Sequence, residues 1–267
     1  MSLCISISIV VYEMNPTNFG RTLDCLDTAI DVIKGEMEVT TTVQIIDNGN
    51  NRTLLAKVIN RRPLHYELMD NESNTGYSAH NLSIANTDSD FHLVLNPDVY
   101  VKKDSILVAI KYLREESDVV LLGPKAVDVM GNNAYLNKRY PALLDLVIRG
   151  LNIGALNKLF AKRLARYAYH ELAQETQPIQ VQLFSGCFML IRTQPLKLVN
   201  GFDEDFFLYF EDFDLSIRLK SLGRTVYHPQ VQIIHSGGFT GTKGYQHWKF
   251  FLRSANTFYR KHGLRLV

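Results

Sequence analysis

Ile5-Ser6-Ile7-Ser8-Ile9-Val10-Val11 is a short apolar run that stops at Tyr12-Glu13, and the same pattern recurs twice. Val43 to Ile46 runs into Asp47-Asn48-Gly49-Asn50, and Phe91 to Leu95 runs into Asn96-Pro97-Asp98. Runs of this length, closed by turn-forming residues, read as buried parallel strands. Helical patterns lie between and after them at Thr22 to Ile33, Leu54 to Asn60 and Ser78 to Ala85. This alternation predicts right-handed crossovers and an α/β fold on an open, Rossmann-like doubly wound sheet. Ligands of such sheets bind beyond the carboxyl ends of the strands, where all three polar clusters fall, so Glu13, Asp47 and Asp98 are expected to face one crevice.

Downstream, Ile106, Leu107, Ile110 and Leu113 mark an amphipathic helix from Asp104 to Glu116, capped by Asp104 or Ser105, and Val119 to Leu122 reads as a strand. An irregular basic stretch from Lys138 to Arg166 follows, then a strand-like run Val181 to Ile191 broken by Ser185-Gly186. A helix from Asp212 to Ser221, a strand Val226 to Ile234 ending at His235, and a closing helix from Trp248 to His262 complete the pattern. No Pro/Gly/Ser-rich or repetitive stretch divides the chain, so its 267 residues are expected to form one domain.

A formal net charge of +2 excludes the strong basic excess of a nucleic-acid binder, but the charge is uneven. No acidic residue follows Asp214, whereas Arg218, Lys220, Arg224, Lys243, Lys249, Arg253, Arg260, Lys261 and Arg265 do; such an excess suits phosphate groups or an anionic membrane. Cys4, Cys25 and Cys187 are odd in number and lack metal-type spacing, which fits a reducing cytoplasm better than a disulfide framework. The opening apolar run has no basic leader and is too short for a membrane span, so it reads as a strand.

Asn96-Pro97-Asp98 sets an amide and a carboxylate two residues apart, on one side of an extended segment. Mg²⁺ or Mn²⁺ bridging a diphosphate needs only one or two protein carboxylates. A proline turn closing the strand is the plainer reading. Glu211, Asp212 and Asp214 cluster at a helix start, where the dipole favours ionised carboxylates able to accept a proton. Asp214 reads as the partner of Arg218 one turn on, while Glu211 and Asp212 exceed what capping needs. His235 precedes Ser236-Gly237-Gly238, a glycine loop, where a neutral imidazole could complete a metal shell. Asn74-Thr75-Gly76-Tyr77-Ser78 is a phosphate-friendly glycine turn, but neither a dinucleotide fingerprint nor a P-loop.

In order, Val10 to Glu13, Ile46 to Gly49, Asn74 to Tyr77 with Asn81, Leu95 to Asp98, Ser185 to Met189, Gly201-Phe202-Asp203, Glu211 to Asp214 and His235 resemble the inverting family 2 glycosyltransferases. The likeness is greatest to bacterial rhamnosyltransferases of O-antigen and related polysaccharides. It implies a GT-A fold, with a doubly wound mixed sheet flanked by helices and a C-terminal helical segment. It further implies a nucleotide-sugar half at 1–100, an acceptor and catalytic half at 101–240, and a basic aromatic segment at 241–267. Tyr12, Glu13, Asp47 and Asn48 would hold base and ribose; Asn74, Gly76 and Asn81 would line the nucleotide pocket. Asp98 and His235 would be metal ligands, Asn96 would reach the ribose or sugar, Asp212 would be the general base, and Glu211 would place a substrate sugar. Asn96 stands where many relatives have an aspartate, which removes one charge from the metal motif. dTDP-L-rhamnose is the donor implied first and UDP-sugars next.

Arg149, Lys158, Lys162, Arg163 and Arg166 interleave with Leu151, Ile153, Leu156, Leu159, Phe160 and Leu164, as in an amphipathic helix lying either on the sheet or in a membrane interface. With the basic tail, this points to a glycan or polyprenyl-diphosphate-linked acceptor at the inner membrane face. A sugar nucleotidyltransferase is the rival enzyme, although Tyr12-Glu13-Met14-Asn15 is not its glycine-rich basic loop. A non-catalytic carbohydrate-binding module on a degenerate fold is the rival without chemistry.

Overall fold

In a computed structural model, residues 2–60, 62–237 and 245–267 are described. Gly238 and Lys243, named above in the glycine loop and the basic tail, lie outside them. The first half contains β1 (Leu3–Val11), α1 (Pro16–Glu36), β2 (Val39–Asp47), α2 (Arg52–Ile59), β3 (Tyr66–Asp70), α3 (Asn81–Ala85), β4 (Phe91–Leu95) and β5 (Val99–Val101). Then come α4 (Ser105–Glu115), β6 (Val119–Val127), α5 (Leu143–Leu151), α6 (Gly154–Leu159), α7 (Ala161–Tyr167), β7 (Ile179–Gln180), β8 (Phe188–Arg192), α8 (Thr193–Leu198), α9 (Glu211–Lys220), β9 (Arg224–His235) and α10 (Tyr245–His262).

One sheet runs in the order β3-β2-β1-β4-β8-β6-β9, with β5 and β7 both on β9. β1 to β4 are mutually parallel. β8 is antiparallel to both β4 and β6, and β5 is antiparallel to β9, so the sheet is mixed. Alternation along the strands divides the core. Leu93 and Leu95 join Ile5, Ile7 and Ile9 under α1, α2 and α4, while Val94, Met189 and Ile191 meet Leu215 and Leu219 of α9 on the other face.

Ser6 and Ser8 point away from those isoleucines into a buried polar layer. His92 bridges them, with Nδ1 at 2.7 Å from Ser6 Oγ and Nε2 at 2.8 Å from Ser8 Oγ, and Ser8 Oγ lies 2.7 Å from His80 Nδ1. Burial lowers the pKa of both histidines to about 3, so both are neutral.

Several expectations are revised. α1 starts six residues early because Asn15 caps the Thr17 and Asn18 amides and Pro16 suits the first helical position. Neither Asp104 nor Ser105 caps α4; the Ser105 hydroxyl instead donates to the Gln232 carbonyl. The basic stretch is three short helices, α5 breaking at Asn152 in the left-handed region (φ 48°). Arg163 within it pairs with buried Asp145. Part of the tail's positive charge is also neutralised internally, Arg218 by Asp214, Arg224 by Glu116 and Asp118, and Lys261 by Asp203 and Asp205. All three cysteines are free thiols.

Candidate active site

The carboxyl ends of the parallel strands β1, β2 and β4 lie side by side, the place where doubly wound sheets bind ligands. Here the Asn48 amide donates to the Val11 carbonyl, and Asn51 Nδ2 donates to the Tyr12 carbonyl and to Asp47 Oδ1. Gly49 is required there, since a Cβ would lie 1.8 Å from the Tyr12 oxygen. Tyr12 is 54 % exposed and Glu13 exposed, free to meet a ligand. Asn48 is different. It is buried, and its side chain bonds Asn71, Asn74 and Gly76, so it fixes the neighbouring turn rather than presenting an amide to solvent.

That turn leads inward. Gly76 adopts φ +68°, and a Cβ would lie 1.9 Å from the Phe207 carbonyl, which accepts from the Tyr77 amide. The Tyr77 hydroxyl then lies between Asn96 Oδ1, at 2.8 Å, and the Gly186 carbonyl. Burial, followed by Cys187, Asp212, Glu211 and Asp98, holds that hydroxyl protonated far above its ordinary range. Asn81 lies outside this line: Nδ2 donates to the Phe202 carbonyl and Oδ1 accepts from the Phe202 amide, so it anchors the Gly201-Phe202 turn.

Asn96-Pro97-Asp98 is a turn, not an extended segment, which corrects the expectation that Asn96 and Asp98 share one side. The Pro97 carbonyl accepts from Thr22 of α1, and the Asn96 amide donates to the Cys187 carbonyl. Asp98 instead faces β9, where Oδ2 lies 3.6 Å from His235 Nε2. The Asp98 carbonyl is held by both the amide and hydroxyl of Ser236. A Cβ at Gly237 would sit 1.7 Å from Asp98 Oδ2, so glycine gives the carboxylate its space. Among the described residues no three His, Cys, Asp or Glu side chains converge as a metal cage. One carboxylate and one imidazole do fit a cation that takes its remaining ligands from a diphosphate and water.

Asp212 lies across the Gly186 loop. Its Oδ2 accepts from the Gly186 amide at 2.9 Å and Oδ1 from the Phe213 amide at 2.8 Å. Burial raises its pKa to about 6, although these backbone bonds and nearby Lys138 pull the other way. Glu211 is 5 % exposed; burial and then Asp212 push its carboxyl well above the carboxylate range, and Oε2 has no hydrogen-bond partner among the described residues. Tyr209 and Phe210, both left-handed at φ 72° and 66°, turn the chain sharply into this helix start.

Glu211 and Asp212 form part of the wall of a cavity of about 560 Å³. Lys138, Arg149, Tyr167, Tyr209, Trp248 and Phe251 also line it. Sequence reading gave none of these six a place in the site. Tyr77 and Gly186 were visible only as members of motifs.

A mixed sheet with polar turns at the carboxyl ends of its parallel strands, a carboxylate and imidazole beside the turn after β4, and an acidic helix start on the wall of a cavity make up the GT-A glycosyltransferase fold. The chain belongs to the family described as Glycosyl transferase family 2, which it matches over residues 16–199. It is 31 % identical over 207 residues to the rhamnosyltransferase WbbL of Escherichia coli, covering 72 % of each chain. It is 29 % identical to the N-acetylglucosaminyl-diphospho-decaprenol L-rhamnosyltransferase of Mycobacterium tuberculosis, covering 72 % of this chain and 66 % of that one. In fold it is similar to the mannosyltransferase PcManGT from Pyrobaculum calidifontis, whose structure holds GDP-Man and Mn²⁺. That likeness has a TM-score of 0.61 at 14 % identity and covers 95 % of this chain and 61 % of that one. Family membership makes the protein a hexosyltransferase and displaces both the nucleotidyltransferase and the non-catalytic readings.

Proposed function

We propose that the protein transfers L-rhamnose from dTDP-L-rhamnose, with inversion, to a hydroxyl of a glycan carried on a polyprenyl diphosphate. UDP-sugars are the next donors to test. The observation that carries this reading is Asp212: a carboxylate on a cavity wall, with a pKa raised to about 6, joined through Gly186 and Tyr77 to Asn96 in the turn after β4. A base with that pKa is ionised at neutral pH yet basic enough to draw a proton from a hydroxyl as it attacks. Asp212 takes the proton; the acceptor oxygen bonds to the anomeric carbon from the face opposite the diphosphate, and the bond from that carbon to the nucleotide oxygen breaks. Tyr12, Glu13 and Asp47 would hold base and ribose, with Asn48 and Asn74 setting the turn beside them. Glu211 would orient a sugar hydroxyl through its unpartnered oxygen. Mg²⁺ or Mn²⁺ held by Asp98 and His235 would supply charge neutralisation for the departing dTDP.

The diphospho-decaprenol named for the mycobacterial relative supports a lipid-linked acceptor. So does the cavity's surround. Leu143, Val147 and Leu151 of α5 and Trp248 and Leu252 of α10 are exposed apolar residues. The two helices adjoin, since a Cβ at Gly150 would lie 3.4 Å from the Trp248 ring. Among the described residues no helix is long and apolar enough to cross a membrane, and a peripheral site on the cytoplasmic face suits an apolar surface flanked by arginines and lysines. Rhamnosyl transfer from dTDP-L-rhamnose, lost in Asp212→Asn, tests the chemistry. Flotation with anionic vesicles tests the membrane; failure to float would remove that part.

A further inference from the structure

The cavity beside Asp212 is lined by both acidic and basic side chains, and only the acidic ones are used by the reaction as described. The cations among them are Lys138 and Arg149. Neither has a carboxylate in ion-pair contact among the described residues, although Arg163, close by in sequence, is paired with Asp145. The Lys138 ammonium is held by the backbone carbonyls of Tyr135 and Asn137, and the backbone at Lys138 is fixed by a two-way bridge to Leu183. The Arg149 guanidinium lies over the Tyr167 ring, 5.4 Å from its centroid. Lys138 feels Asp212 through space but makes no ion pair with it, and among the described residues the exposed Arg149 has no carboxylate in contact, so two neighbouring cations line a cavity in which an anionic ligand would relieve their mutual repulsion. Burial and the nearness of Arg149 lower the Lys138 pKa to about 7, although Asp212 acts to raise it.

We infer that Lys138 and Arg149 form an anion subsite that seats the phosphate or diphosphate of the acceptor, so that its sugar hydroxyl meets Asp212 in the same cavity. This rests on the reading of Asp212 as the base. The aromatic side chains Tyr209, Trp248 and Phe251 then lie where the sugar or the first part of a lipid chain would pass. The acceptor is thereby selected for charge, and a neutral glycan presenting the same hydroxyl is a poor substrate.

The test is titration calorimetry with decyl diphosphate, in EDTA and with saturating dTDP to fill the donor side. Binding should persist with dTDP present, weaken about ten- to a hundredfold in Arg149→Ala and in Lys138→Met, and be unchanged in Lys57→Ala, an exposed cation of α2 outside the cavity. Inorganic pyrophosphate reads the head group alone and must show the same dependence on Arg149. A dependence confined to the decyl compound would overturn the inference, as would displacement by dTDP or equal affinity in the Arg149 variant. Should Lys138→Met not fold, the exposed Arg149 carries the decision. A thermal shift of the wild-type protein by dTDP with Mn²⁺ is recorded separately. Its absence alongside Arg149-dependent diphosphate binding would sink the donor reading and leave the subsite standing.

Discussion

The Gly186 amide donates to Asp212 Oδ2 at 2.9 Å, while the carbonyl of the same glycine accepts from Tyr77. One peptide segment thus couples the proposed base to the hydroxyl that also touches Asn96, next to Asp98. The halves of the site are set in register by backbone and by Tyr77.

Gly186 therefore has no room for a side chain. A Cβ would lie 2.5 Å from the Tyr77 hydroxyl and 2.7 Å from its ring carbon. Gly186→Ala should cost about 1–3 kcal/mol in stability through overpacking, and should lower kcat more than KM for the donor, because Asp212 and Asn96 lose their common support. Chemical denaturation and steady-state kinetics read both. Wild-type kcat in the variant would show that this linkage is unimportant.

Asp212 is expected to lower stability while it enables chemistry. Its folded pKa, about 6, lies above the ordinary carboxylate value, so its ionised form opposes folding above that pKa and the penalty vanishes at low pH. Asp212→Asn removes this penalty but sets an NH₂ against one of the two backbone amides, so its stability relative to wild type should be lower at pH 4 and rise by roughly 1–2 kcal/mol between pH 4 and 7.5. The same ionisation should give wild-type kcat/KM an acid limb, falling tenfold per pH unit below about 6. Urea melts at two pH values and a pH–rate profile check these.

The buried His80 and His92 pull stability the opposite way. Their folded pKa values, about 3, lie below the unfolded value near 6.5, so the stability they contribute is complete above pH 6.5 and is lost as pH falls from there toward 3. Each should add up to about 1.4 kcal/mol of loss per pH unit within that window. His92→Leu should flatten this acid slope. It should also cost about 0.5–1.5 kcal/mol for each of the two hydrogen bonds lost, Ser6 keeping Ser89 and Ser8 keeping His80 as partners. An unchanged slope of urea midpoint against pH would exclude the histidines as its source.

Much of this fold is legible in the chain. β1, β2 and β4 are buried on both faces, so their apolar runs announce them, and each ends in the turn residues that mark the cleft. β3 escapes notice because Tyr66-Glu67-Leu68-Met69-Asp70 is an edge strand with two acids. The break at Asn152 is a single left-handed residue inside an otherwise helical apolar and basic pattern. Asp98, His235, Glu211 and Asp212 are readable because motif order and strand ends locate them. Lys138 and Arg149 are not, because their proximity to Asp212 is created by the packing of α5 and α10 around the start of α9. No local spacing encodes a contact between segments so far apart.

With only Asp98 and His235 from the protein, metal affinity should be conditional. Mn²⁺ alone should leave Tm nearly unchanged, whereas Mn²⁺ with dTDP should raise it by several degrees, and Asp98→Ala should abolish the increment. A full shift from Mn²⁺ without nucleotide would show a protein-built cage instead.

The most direct test is the rate of dTDP release from dTDP-L-rhamnose in the presence of a diphosphate-linked sugar acceptor, compared between wild type and Asp212→Asn. The wild-type protein should turn over and yield a product of inverted anomeric configuration. Asp212→Asn should bind dTDP yet lose about 10²–10⁴-fold in kcat. Undiminished turnover in Asp212→Asn, or a product with retained configuration, would contradict the account.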